Sequence, residues 1–273
     1  MKKLITLLLA LILVLLPLSG LAETWQDVTL SDPEPQTYNI DVAIRGNVTV
    51  ENGAEVTFNR DVDVCTSLTV ETGASVICNG NFFEVRPDGT VTVKFGSSIT
   101  ANAKMNVAGT LWIHPGATVT ANKTLCLVEE DAKSKLIIGG RFEGKDRMDF
   151  SRGTISLLPG GELDVVLSDD FQANALVSKL QADNGKDKIG ANKDGCHVTA
   201  HGHKFTDGGA CEICGYECTH QEWEDGHCAA CGKPAPVGVI LSQGNLWIVL
   251  AVAVTALAAV VILVVMKKKN EAK

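Results

Sequence analysis

The chain repeats itself. Five ten-residue segments align without gaps, at 47–56 (NVTVENGAEV), 67–76 (SLTVETGASV), 90–99 (TVTVKFGSSI), 110–119 (TLWIHPGATV) and 154–163 (TISLLPGGEL). Their shared glycines, Gly53, Gly73, Gly96, Gly116 and Gly160, step by 20, 23, 20 and 44 residues. The last step is two periods of 22, and a degenerate copy at 136–142 (LIIGGRF) fills the gap. A unit of this length cannot bury its own apolar face, so copies have to stack on one another.

Alternation within each copy sets the local structure. Val48, Leu68, Val91, Leu111 and Ile155 fall on the same side as Val50, Val70, Val93, Ile113 and Leu157. A period of two with β-branched residues means strands. The glycine that follows permits a corner with φ > 0, and Val56, Val76, Ile99, Val119 or Leu163 then turns the next strand inward. The spacing predicts an all-β parallel β-solenoid of about six coils over residues 46–168. The aromatic share of only 5% suits a narrow core of Val, Ile and Leu. A β-sandwich also has short strands between regular turns, but it has no reason to repeat one ten-residue pattern. Residues 23–45 read as an N-terminal cap. Residues 169–195 read as a capping helix and linker, with Asp169 or Asp170 as N-cap and Phe171, Leu176 and Leu180 on the apolar side. Such caps block edge-to-edge growth.

The outward positions run Thr49, Thr69, Thr92, Trp112 and Ser156. One large aromatic interrupts a hydroxyl ladder. Trp112 and its outward neighbour His114 are candidate ligand-binding residues, a stacking platform for a sugar ring. Coverage of the indole by a neighbouring loop is the other reading.

The ends of the chain define a topology. Lys2 and Lys3 precede an apolar run and a small-residue site ending at Ala22, the pattern of a secretory signal over residues 1–22. Residues 246–266 carry no charge and would form a helix of about 31 Å, a bilayer's thickness. Lys267, Lys268 and Lys269 follow, so the tail 267–273 is expected in the cytoplasm and the rest outside the cell membrane. The net charge of −8 becomes more acidic once these terminal lysines are set aside. An acidic exterior argues against nucleic acid or anionic lipid as partners.

Six of nine cysteines crowd into the segment from Cys196 to Cys231. His201, His203, Cys211 and Cys214 form an HxH, CxxC string. Cys218, His220, Cys228 and Cys231 repeat it as CxH, CxxC at an offset of 17 residues. Each CxxC ends in glycine (CEICG, CAACG), which lets backbone N–H groups turn toward the sulfurs. Four N or S donors per string fit tetrahedral Zn²⁺, and the metal supplies the folding energy that so short a segment lacks. Residues 196–233 therefore read as a zinc-stabilised module with two structural ions, joined by a linker at 234–245 to the span. Alternatives stay open: Cys196 in place of His201, one ribbon built from Cys211, Cys214, Cys228 and Cys231, or disulfides, the default for exported cysteines. Redox chemistry would need a helix starting at the CxxC. Cys65, Cys78 and Cys126 read as small core residues, with a bridge open to one pair.

The string CTHQEWEDGHCAACG at 218–232 resembles the tandem zinc-ribbon-like repeats near the C-terminus of exported proteins of Gram-positive gut bacteria. The solenoid copies are similar to those of bacterial surface β-solenoids. The resemblance implies metal binding and little more. No nucleotide loop, nucleophile elbow or metalloprotease helix is present in the sequence. The chain thus reads as a non-catalytic, single-pass surface protein, its solenoid a stalk or binding face for a glycan or protein ligand. The alternative is a polysaccharide lyase or hydrolase on a β-helix scaffold.

Overall fold

The computed structural model describes residues 22–128, 133–184, 187–220, 223–224 and 227–236. The expected signal up to residue 21, most of the linker, the span at 246–266 and the tail lie outside them. Among the described residues no helix is long and apolar enough to cross a membrane. Two compact units divide between His203 and Lys204.

The first unit is a parallel β-solenoid whose coils each lay one short strand on each of three walls. The second wall carries the repeat: Val28–Leu30, Asn47–Val50, Ser67–Val70, Thr90–Val93, Thr110–Ile113, Lys135–Ile138 and Thr154–Leu157. Its register matches the sequence alignment residue for residue, Val48 on Leu68, Leu68 on Val91, Val91 on Leu111, Leu111 on Leu136 and Leu136 on Ile155. All of these are buried, as are their partners two residues on. At the corner Gly53, Gly73, Gly96, Gly116 and Gly160 have φ between 68° and 76°, the left-handed region where only glycine is unstrained. The third wall follows, from Gln36–Tyr38 to Glu162–Leu167, with Val56, Val76, Ile99, Val119, Phe142 and Leu163 stacked inward.

The first wall is not marked by the glycine repeat. It consists of Glu23–Trp25, Val42–Ile44, Val62–Val64, Phe82–Val85, Lys104–Val107, Leu125–Leu127 and the end of the long strand Arg141–Asp149. The corner before it carries an asparagine ladder. Asn59, Asn79, Asn102 and Asn122 each donate through Nδ2 to the Oδ1 of the asparagine one coil earlier, starting at Asn39, over 2.7–3.0 Å. These asparagines step by 20, 20, 23 and 20 residues, in time with the glycines.

Among the described residues seven coils are present, one more than the repeat predicts. The additional coil comes from the segment read as a cap. Glu23–Trp25, Val28–Leu30 and Gln36–Tyr38 pair in parallel with the coil after them. The corner of this coil between the second and third walls, residues 31–35, has no glycine, and the positive φ lies one corner earlier, at Asp27, at 47°. An aromatic cluster closes this end: Trp25 lies 4.9 Å from Tyr38 and 5.7 Å from Phe58, centroid to centroid. The other end is covered by the helix Asp170–Asn184, whose Ala173, Leu176 and Leu180 are buried in the core. The carboxylate of Asp169 accepts the N–H of Gln172 at 2.8 Å, the expected N-cap. Phe171 does not pack inward; it is exposed. Beyond the helix, Ile189–Asp194 and His197–Gly202 form an antiparallel hairpin that pairs with Glu162–Leu167. Antiparallel pairing ends the coil stack. Residues 196–203 thus belong to the solenoid unit rather than to the module expected over 196–233.

Candidate metal centres

The two CxxCG turns of the second unit are built alike. Cys211 O accepts from Gly215 N, and Cys228 O from Gly232 N, both at 2.8 Å. Cys211 N donates to Tyr216 O and Cys228 N to Lys233 O, again at 2.8 Å. Gly215 and Gly232 share a φ of 72°. No helix starts at either turn, so no helix N-terminus acts on these thiols.

The donors converge as the spacing predicts. One ligand atom from each of Cys218, His220, Cys228 and Cys231 lies within 4.8 Å of every other, whereas in the other string His201 and His203 lie in the first unit and Cys211 and Cys214 in the second. In the second string Cys218 Sγ is 3.6 Å from Cys228 Sγ, and His220 Nδ1 is 3.4 Å from Cys231 Sγ. Tetrahedral Zn²⁺ with bonds of about 2.3 Å to sulfur and about 2.0 Å to nitrogen sets those edges at ~3.8 and ~3.5 Å. The donor set fits the ion. Thiol chemistry agrees in part: burial opposes ionisation of Cys228, yet N–H groups of Cys231 and Ala230 and the His220 side chain bring it down to about 6. Burial, first of all, pushes its partner Cys218 up to about 12. A thiol held as a thiolate is the form a metal takes. His220 sits at a φ of 54°, stacked 5.9 Å from Trp223. Such strain in a residue with a Cβ persists where a local function requires it.

In the solenoid unit His201 and His203 lie two residues apart and therefore on one side of the strand. Burial holds both below the ordinary histidine value, in the neutral form that ligates metal. Gly190 on the neighbouring strand makes room for them: a methyl group there would lie 2.9 Å from the Nε2 of each. Sequence reasoning passed over this glycine, which no motif marks. Cys196 opens the strand at whose far end His201 sits, about 17 Å away at 3.4 Å per residue. The alternative in which Cys196 replaces His201 therefore fails.

None of the nine cysteines is in a disulfide. Only Cys78 is a core residue, its thiol pushed up to about 12 by burial. Cys65 and Cys126 are half-buried instead, Cys126 at an outward position between Leu125 and Leu127. Trp112 and His114 do come together. Their rings stack at 4.3 Å and 29°, with Trp112 38% exposed between Thr92 and Ile137.

Fold and donor groups define a parallel β-solenoid followed by a small Cys/His unit whose Cys218, His220, Cys228 and Cys231 could hold a metal ion. No protein family, curated protein or solved structure matches the chain.

Proposed function

We propose that the chain is a non-catalytic surface protein, anchored by a single span, whose solenoid serves as a binding face or stalk. In this reading the CxxCG unit next to the membrane is a zinc-ribbon-like fold of bacterial type holding one structural Zn²⁺ per string. The observation that carries the non-catalytic reading is the tightness of the corners. Strands follow one another after two to five residues through most of the stack, for example from Val107 to Thr110 and from Ile113 to Thr118. A lyase or hydrolase on such a scaffold would need long loops to project acids and bases over a cleft. The signal and span rest on their sequence patterns, and the zinc on donor type and spacing.

Topology is tested by protease added to intact cells, which should shorten the protein from outside while a tag after Lys273 stays protected. A tag cleaved from outside would reject the anchor's orientation. For the metal, native mass spectrometry should find two Zn²⁺ per chain. His220→Ala should remove one, and Cys196→Ser none. A single ion in the unsubstituted chain, unchanged by loss of His220, would favour one four-cysteine ribbon, and no ion at all would reject the zinc reading.

A further inference from the structure

The second wall changes character along its length. Its outward row runs Thr29, Thr49, Thr69, Thr92, Trp112, Ile137 and Ser156, each directly over the next. The corner beside it runs Glu51, Glu71, Lys94 and His114, each N–H reaching back to the coil before. Toward the N-terminal end the surface is an open polar groove lined by Thr49, Glu51, Asn52 and Glu71. Lys94 Nζ meets Glu71 Oε1 at 2.7 Å. One coil later the surface becomes aromatic, with the Trp112–His114 stack and the 66% exposed Phe95, whose ring lies over Gly116.

Nothing in the coil's own packing requires an indole where the four preceding coils place threonine. The core side of this strand is already filled by Leu111 and Ile113, both fully buried. Yet the indole is held: His114 stacks against it, and His114 Nε2 is buried with no hydrogen-bond partner. Leaving a buried ring nitrogen unpaired is unfavourable, and His114 sits there stacked on an indole that is 38% exposed.

We infer that this strip binds a neutral polysaccharide, with one sugar ring stacked on Trp112 and the chain running along the threonine row toward Glu71. This rests on the binding-face reading above. The weakly positive C–H face of a pyranose complements the negative face of the indole. Hydroxyls of the following sugars meet Thr92, Thr69, Lys94 and Glu71, the mixture of apolar platform and convergent polar groups that small-ligand sites use. From Trp112 to Thr49 the row spans three inter-strand steps, about 14 Å, room for a short oligosaccharide. Glu51 and Glu71 on the strip, with the acidic surface around it, oppose uronic acids and other polyanions. His114 is a positioning residue, since it acts through the indole.

The test uses the full-length protein in a detergent without sugar headgroups, titrated with soluble mannan, xylan and mixed-linkage glucan, and with polygalacturonate as the acidic control. Binding to at least one neutral polymer is expected, with a change in tryptophan fluorescence. Trp112→Thr, which restores the residue of the coils before it, should weaken binding at least tenfold with an unchanged melting temperature. His114→Ala should weaken it several-fold, and Trp112→Phe should keep most of it. No binding to any neutral polymer, equal binding by Trp112→Thr, or preference for polygalacturonate would each overturn the inference. Failure of the cell-protease experiment would reject the anchor and leave this result standing, because binding is measured on purified protein.

Discussion

The two units solve the same problem with different materials. Among the described residues of the solenoid, 48 buried residues form one apolar cluster, mostly Val, Leu, Ile and Ala with a few aromatics, two Met and Cys78, laid coil upon coil. In the described part of the second unit, no residue belongs to that cluster, and the buried side chains are Cys211, Cys218, Cys228 and Ala235. Burial of apolar surface stabilises the first without help. A unit whose interior is made of thiols lacks that source of stability, and in the proposed reading a bound metal takes its place. The difference teaches where each unit is vulnerable: the solenoid to a charge placed inward, the small unit to a chelator.

The largest effect should follow from metal removal. A structural Zn²⁺ contributes on the order of 10 kcal/mol to a small Cys/His fold. Chelation should therefore abolish hydrogen-exchange protection in 204–236 and leave the three walls protected. Equal protection in both units with and without chelator would erase the contrast. Gly190→Ala comes next. Its methyl would occupy the space between the Nε2 atoms of His201 and His203, so native mass spectrometry should count one Zn²⁺ instead of two, with the coils intact. Retention of both ions would show that those histidines are not ligands.

Val70→Asp probes the other material. An unpaired carboxylate in an apolar core costs several kcal/mol or takes up a proton. Its outward neighbour Thr69 should accept aspartate within about 0.5 kcal/mol. Thermal melts of the two variants should differ widely, and matched melts would show inward and outward sides exchanged. The smallest effect sharpens the comparison within the solenoid itself. Asn79 donates to Asn59 and accepts from Asn102, whereas Asn39 only accepts from Asn59. At about 1 kcal/mol per bond, Asn79→Ala should lose about twice what Asn39→Ala loses in urea unfolding.

Legibility followed repetition. The second and third walls could be read because glycine and inward valines recur together, and the donor strings because they recur at 17 residues. The first coil escaped because its corner at 31–35 has no glycine and its interior uses Trp25 and Tyr38, neither of which resembles the repeat. The first wall escaped because three-residue strands such as Val62–Val64 are too short to show a period. The asparagine ladder was written in the sequence at the same steps as the glycines, and only the pairing of side chains gives it meaning. Cys196 could not be excluded until the hairpin placed it at the wrong end of a strand. Phe171 illustrates the opposite error, an apolar residue on a helix that turns to solvent while Ala173 packs inward.

The geometry of the coil also bears on what such a protein is for. About twenty residues per coil advance the stack by one inter-strand spacing, about 4.8 Å, whereas the same twenty residues in a helix would advance about 30 Å. A chain selected for distance from the membrane would be extravagant to build it this way. What each coil adds is breadth: three more strands of flat wall, in fixed register, on which a change of side chain alters the exterior and leaves the core untouched. Trp112 is one such change, set among threonines on an unaltered backbone, which places the molecule nearer to a printed surface than to a pole.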